Sequence, residues 1–409
     1  MSSHTDAVPS RQWLSPEFFA NPYSFYDELL SSETVHWSDD LNSWLLARYD
    51  HVVSALRDPR TFSSAGRMAA LLDQVTPELR VKLKPMYDTF SVGMIQSDPP
   101  GHTRLRMLLN KVFTPTEVDR LRSRIEVLVG ELLDRVQPDG RMDAINDFAY
   151  PLPVTVLCEI LGVPVDQRDQ IGTWTANVNR TTSGTCPLNE CADQAQSSVL
   201  EMRAYFAELV EQRREQPRDD LLSLLVAAEE AGDKLSMDEL QTTVVMLISA
   251  GHETTTSLIG NGLLTLLRHP DQLRLLRENP DLMDAAIDEI LRYESPLQRQ
   301  TRRVAEDAEF GGRQIRKGQM VSVLLGAANR DPSVFSDPDR FDIQREDNKH
   351  IAFGFGIHSC LGRFLSRLEG TIAFDAILRR FPKLQLETEE IKWQHHVAVR
   401  CVESLPVSF

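Results

Sequence analysis

Cys360 stands near the end of the glycine-rich run His350-Ile351-Ala352-Phe353-Gly354-Phe355-Gly356-Ile357-His358-Ser359-Cys360-Leu361-Gly362, at the head of a helical pattern over 361–381. Glycines let a backbone turn sharply and come close to a flat ligand. A thiol at a helix start meets the positive end of the macrodipole and free N–H groups, both of which favour the thiolate. These residue types allow a metal-ligating thiolate; a buried cysteine beside a glycine turn is the plainer alternative. A second set, Ala250-Gly251-His252-Glu253-Thr254-Thr255, interrupts an apolar helical run with an acid and an alcohol side by side. Such a pair can relay protons, whereas Thr254 bonding back to a preceding carbonyl is the plain alternative. Glu289 and Arg292 stand three apart on a helical pattern, a spacing equally common for ion pairs on solvated faces.

Positioning these residues calls for a mostly helical scaffold. The strongest helix signal covers 237–268, with Ser236 as N-cap before Glu239. Its middle, through Val244, Val245, Leu247 and Ile248, is apolar on nearly every face and predicts burial. Other helices are predicted over 16–32, 103–136, 151–161, 166–180, 192–215, 219–231 and 281–293, and short strands over 43–47 and 319–325. Residues 59–100 read as an irregular yet apolar loop, a combination that usually marks function. No repeat, low-complexity tract or linker divides the 409 residues. One large domain over 1–409, mainly α with small β-sheets, is the economical reading, with 1–13 as a flexible tail.

Composition removes several function classes. With 44 basic and 60 acidic residues the formal net charge is -16, which argues against a nucleic-acid binder. Five scattered cysteines are not a disulfide framework, and Cys186 and Cys191 lack the second Cys or His pair of a metal knuckle. The opening MSSHTDAVPSRQ has neither the apolar core nor the cleavage site of a signal peptide. The longest apolar run, 244–248, is too short to span a bilayer. The expectation is a cytoplasmic protein without a membrane anchor.

The run 350–362 resembles the haem-binding loop of the cytochrome P450 family, and the other motifs fall where that family has them, over about 14–409. The resemblance implies the cytochrome P450 fold, with haem b (iron protoporphyrin IX) buried between the long central helix and the Cys-bearing loop and helix. Cys360 is then the proximal ligand of the iron, with Phe353, Gly354 and Gly362 around it, and thiolate donation favours O–O cleavage. Ala250 and Gly251 border the haem, Glu253 and Thr254 become the proton-delivering pair, and His252 takes a packing or surface-network role. His102 and Arg106 match the partners of one propionate, Arg302 and His358 those of the other. Glu289, Arg292 and Arg340, the last from Pro338-Asp339-Arg340-Phe341, form a buried structural charge network. Ile95, Leu247, Ala250, Leu297, Gln298 and Val397 line the substrate pocket, while Arg299 faces either that pocket or solvent.

The implied activity is that of a soluble bacterial monooxygenase, which hydroxylates or epoxidises an apolar small molecule with dioxygen. Its electrons come from a separate ferredoxin- or flavodoxin-type donor with an NAD(P)H-dependent reductase. Arg104, Lys111, Lys349, Arg363 and Arg367 offer a basic patch for an acidic donor. Oxidative coupling or C–C cleavage would use the same haem chemistry. A non-catalytic haem sensor is a third reading, against which the Glu253-Thr254 pair speaks.

Overall fold

In the computed structural model, Ser236 caps the long helix as its sequence predicts. Its hydroxyl accepts from the Glu239 amide at 3.2 Å, and the Glu239 carboxylate accepts from the Ser236 amide at 2.8 Å. The helix runs Met237–Gly251, breaks at His252 and resumes as Glu253–Arg268, so the expected 237–268 helix is two segments. At the break, the His252 ring donates from Nδ1 to the Ile248 carbonyl at 2.8 Å, a side-chain bond back into the preceding turn.

The structure describes Trp13 and residues 15–409, except 33–34, 74, 183–185, 187 and 229–234. Of the tail expected over 1–13, only Trp13 is described, and it is no flexible residue: it is 2% exposed and packs against Phe18 and Phe25. The end of the helix expected over 219–231 lies outside the described residues. The chain gathers into two compact units. One comprises Met1–Phe62, Val118–Leu152 and Thr254–Phe409, the other Ser63–Glu117 and Pro153–Glu253.

The first unit holds the sheets. Ser43–Leu46 pairs in parallel with Met320–Leu324 and antiparallel with His36–Ser38, and Arg299–Val304 lies antiparallel on the other side of Met320–Leu324. Every residue of Met320–Leu324 is buried, as an almost continuous apolar run predicts. Its polar member, Ser322, meets the Ser43 hydroxyl at 3.0 Å. Alternation sends Trp44, Leu46, Val321 and Val323 into one core cluster, and Leu45 and Leu324 into an aromatic cluster with Trp13, Phe18, Tyr23 and Tyr26. Arg363–Arg380 follows Cys360 and buries Ile372, Phe374 and Ile377. Phe374 explains a glycine inside Glu253–Arg268: a Cβ at Gly262 would lie 2.6 Å from its ring.

The second unit is helical. Leu188–Glu215, its longest element, buries Val199, Met202, Phe206 and Val210 along one face. Residues 59–100, expected to be a loop, contain Arg67–Leu72 and Pro77–Ser91. Thr76 caps the latter, accepting from the Leu79 amide at 3.4 Å, with Pro77 in the first turn where its missing N–H costs nothing. Pro85 inside this helix hides the signal, and Thr89 takes up the Pro85 carbonyl at 2.9 Å. The expected 103–136 helix divides into Gly101–Asn110, Pro115–Asp119 and Arg122–Val136, because Pro115 starts a new segment. Likewise, Asn21-Pro22 splits 16–32 into Pro16–Ala20 and Tyr23–Leu30. Among the described residues no helix is long and apolar enough to cross a membrane.

Candidate active site

In the first unit the loop before Cys360 is built on two left-handed glycines, Gly354 and Gly356, each at φ 69°. At Gly356 a Cβ would also stand 2.3 Å from the Leu56 carbonyl oxygen, so a side chain is excluded twice over. The turn closes through Gly354 N–H to the Ile351 carbonyl at 2.8 Å and Cys360 N–H to the Phe353 carbonyl at 2.7 Å. Cys158, Cys186, Cys191 and Cys401 are buried, whereas Cys360 keeps surface. Burial pushes the thiols of Cys158 and Cys191 up to about 11, away from thiolate chemistry.

Behind this loop, Glu289 and Arg292 are fully buried and joined by two bonds of 2.8 Å. Arg292 also donates to the carbonyls of Asn329 at 3.0 Å and Pro338 at 2.8 Å. The second arginine on Glu289 is Arg345, its Nε 3.1 Å from Oε2, and not Arg340. The Arg340 side chain is 65% exposed beside Asp342; the residue contributes only its carbonyl, accepting from Arg292 at 3.1 Å and Arg345 at 3.0 Å. The reason lies in the turn. Left-handed Asp337 (φ 45°) begins it, and the folded chain shows carbonyls, not the Arg340 side chain, to the buried guanidinium. From Asn329 the network reaches the loop, since its Oδ1 accepts from the Ile351 amide at 2.7 Å. His350 adds a second tie: burial lowers its pKa to about 4, and the neutral ring bonds Asp288 at 3.2 Å.

In the second unit, Leu240–Met246 and Ile248 are buried, while Leu247, Ala250 and Gly251 keep surface. At positions i, i+3 and i+4, the three share one helix face. Leu157 backs Gly251, where a Cβ would lie 2.8 Å away. Burial lowers the pKa of His252 and keeps its ring neutral, in accord with a packing role. Glu253 accepts from Asn179 Nδ2 at 2.9 Å, and burial pushes its carboxyl up to about 7. Asn179 is a partner that no sequence signal announces. His102 and Arg106 lie one turn apart on Gly101–Asn110, His102 only 2% exposed. In the first unit Arg302 is 4% exposed, and His358 ends the one-turn helix Gly356–His358 before Cys360.

The cytochrome P450 family model matches residues 74–399. Cytochrome P450 107B1 of Saccharopolyspora erythraea is 45% identical over 90% of this chain and 89% of its own length. The chain is a cytochrome P450. The 6-deoxyerythronolide B hydroxylase of the same organism is 39% identical, with 96% of this chain and 97% of that protein aligned. Among solved structures, a myxobacterial cytochrome P450, CYP267B1 in complex with myristic acid, is 40% identical with a TM-score of 0.88, covering 97% of this chain and 98% of that one.

This cytochrome P450 has the mainly α fold with small sheets of its family, and it is a haem-dependent monooxygenase using dioxygen and electrons from redox partners. The residues suit that cofactor. Among the described residues no group of three or more His, Cys, Asp or Glu could hold a metal ion alone. A cysteine that keeps surface beside two left-handed glycines fits a flat group whose metal brings its other ligands with it, as haem iron does. Of the residues expected at the pocket, Ile95 is 38% exposed, and Leu297 and Val397 are partly buried against the two core clusters. Gln298 departs from the expectation. It is 5% exposed, its carbonyl oxygen accepts from the Tyr26 hydroxyl at 3.0 Å, and its amide donates to the Ser295 carbonyl at 2.7 Å. Gly326 leaves room for it: a Cβ there would stand 2.0 Å from Gln298 Oε1. With both ends of its carboxamide engaged, Gln298 is a structural strut.

Proposed function

We propose that this monooxygenase hydroxylates or epoxidises an apolar small molecule, with Glu253 and Thr254 delivering the protons that oxygen cleavage consumes. Haem, when bound, supplies dioxygen binding and its reductive cleavage, promoted by thiolate donation. Cys360 would ligate the iron, within the backbone of Phe353, Gly354 and Gly362, while Ala250 and Gly251 border the cofactor. His102, Arg106, Arg302 and His358 would hold its propionates. Ile95, Leu247, Ala250, Leu297 and Val397 would line the substrate side. Relatives that act on 6-deoxyerythronolide B or hold myristic acid support an apolar substrate.

The observation that carries the relay is Glu253 itself. A carboxyl pushed up to about 7 by burial exchanges its proton readily at neutral pH, where a general acid is most effective. Asn179 donates to its Oε2 at 2.9 Å and orients the carboxyl. The neighbouring Thr254 hydroxyl can hold a water and pass a proton where bulk water is excluded. Thr254→Ala should bind haem and substrate almost normally and still consume reduced nicotinamide, but release much of the oxygen as hydrogen peroxide. Glu253→Gln should instead slow oxygen activation itself. The measurement is product formed per nicotinamide consumed, with peroxide counted alongside. Unchanged coupling and turnover in both variants would remove the relay.

The electron donor we assign is an acidic ferredoxin- or flavodoxin-type protein. Of the five basic residues expected to meet it, Arg104 is held by Glu239, Arg367 by Asp288 and Lys349 by Asp347. Lys111 and Arg363 are exposed and carry no ion pair among the described residues. Charge reversal at Lys111 or Arg363 should therefore slow reduction by a ferredoxin more than reversal at Lys349. The effect should be largest at low ionic strength and fade as salt screens it. Reduction rates indifferent to salt and to both reversals would count against docking there.

A further inference from the structure

We propose that Arg299 anchors a carboxylate on the substrate, so that this enzyme takes an apolar molecule with an anionic end. The inference rests on the monooxygenase reading and narrows its substrate class.

Three buried arginines in the first unit are matched with carboxylates, Arg292 with Glu289, Arg400 with Glu294 and Arg330 with Asp339, while a fourth, Arg302, donates to the Thr301 carbonyl at 2.8 Å. Arg299 has no such partner among the described residues, and its Nε is enclosed without a hydrogen bond. An enclosed guanidinium nitrogen left without an acceptor is unfavourable, and an anion reaching it would relieve that cost. Its neighbours do not provide one. The Tyr26 phenol is spent on Gln298 at 3.0 Å, and burial holds its pKa well above the usual value, so it stays neutral. His396 accepts through Nδ1 from the amides of Ala398 and Val399, both at 3.0 Å, and burial, with the charge of Arg299 second, lowers its pKa to about 4. Burial lowers Arg299 itself only to about 10, which leaves it cationic at neutral pH.

Position points the same way. Leu297 bridges Val399, and the Gln298 amide donates to the Ala398 carbonyl at 2.7 Å, so this stretch runs extended beside 396–399. Neighbouring side chains on extended backbone turn to opposite sides. Gln298 turns into the Tyr23 and Tyr26 cluster, which sends Arg299 to the side of Leu297. The strand then passes the cysteine loop, where Gln300 Nε2 is 3.5 Å from the place of a Cβ on Gly354. Arg299, on the side opposite Gln300, keeps a small surface, and a planar guanidinium matches a carboxylate with two parallel bonds.

The test is titration of the haem-loaded enzyme with dodecanoic acid and with dodecan-1-ol, followed by the Soret shift of substrate binding. Wild type should prefer the acid by at least about ten-fold. Arg299→Gln should erase that preference while leaving alcohol affinity within roughly two-fold, and Arg299→Lys should keep part of it. Should neither compound shift the band, thermal unfolding of the substrate-free haem enzyme decides. Losing an unmatched buried charge raises Tm in Arg299→Gln, whereas losing a structural ion pair lowers it. Equal affinity of wild type for acid and alcohol, or a lowered Tm, overturns the proposal. So does weakened haem retention in Arg299→Gln, which would assign the residue to a propionate. Failure of the monooxygenase reading is distinguishable, because wild type would then bind haem but turn over no substrate.

Discussion

Cys360→Ser is expected to abolish the thiolate-specific, red-shifted Soret band of the reduced carbon monoxide complex, and Cys360→His should do the same. A serine hydroxyl does not ionise at neutral pH, and an imidazole donates less electron density to iron than a thiolate. Substitution of Cys158, Cys186, Cys191 or Cys401 should each leave the band intact, since these four are buried and Cys360 alone of the five keeps surface. The loop should survive the serine change, because its turn depends on Gly354, Gly356 and main-chain bonds, including the Cys360 amide to the Phe353 carbonyl. The absorption spectrum of the reduced carbon monoxide complex decides the matter. A red-shifted band persisting in Cys360→Ser would move the ligand to another residue.

Removing either member of the Glu289–Arg292 pair is expected to cost roughly 3–5 kcal/mol, because the remaining charge stays buried and unmatched. Both side chains are 0% exposed. The damage should spread to the haem loop, since Arg292 holds the Asn329 carbonyl and Asn329 holds the Ile351 amide. Glu289→Gln and Arg292→Ala should therefore fail to retain haem. Arg345→Ala should be the next most harmful, for its side chain is 10% exposed and bonds Glu289 along with the Ser336 and Asp337 carbonyls. Arg340→Ala should shift stability by no more than about 0.5 kcal/mol, as for an ordinary surface change. Haem content after purification and Tm together separate these cases. A haem-loaded Arg292→Ala protein of normal Tm, or an Arg340→Ala protein worse than Arg345→Ala, would contradict the network.

Much of this protein was legible because its chemistry is local in sequence. The run 350–362 sets glycines, cysteine and helix start within one loop, and the cap at Ser236 needs only Glu239 three residues on. The acid–alcohol pair at Glu253 and Thr254 is a feature of adjacent residues, and strand limits near 43–46 and 320–324 follow from short apolar runs. Tertiary structure decided everything that depends on which side chain is buried by a distant segment. Arg340 and Arg345 are alike in type and five positions apart; only the fold of 336–345 against Glu289 makes the second one the partner. Gln298 and Arg299 are neighbours, and contact with Tyr26, far back in the chain, tells strut from unmatched cation. Asn179 meets Glu253 across 74 residues, and Glu239 and Asp288 consume two of the five expected docking charges. Spacing along the chain fixes which groups can share a turn or a face. Desolvation, and with it the worth of each charge, is set by long-range packing that no local pattern encodes.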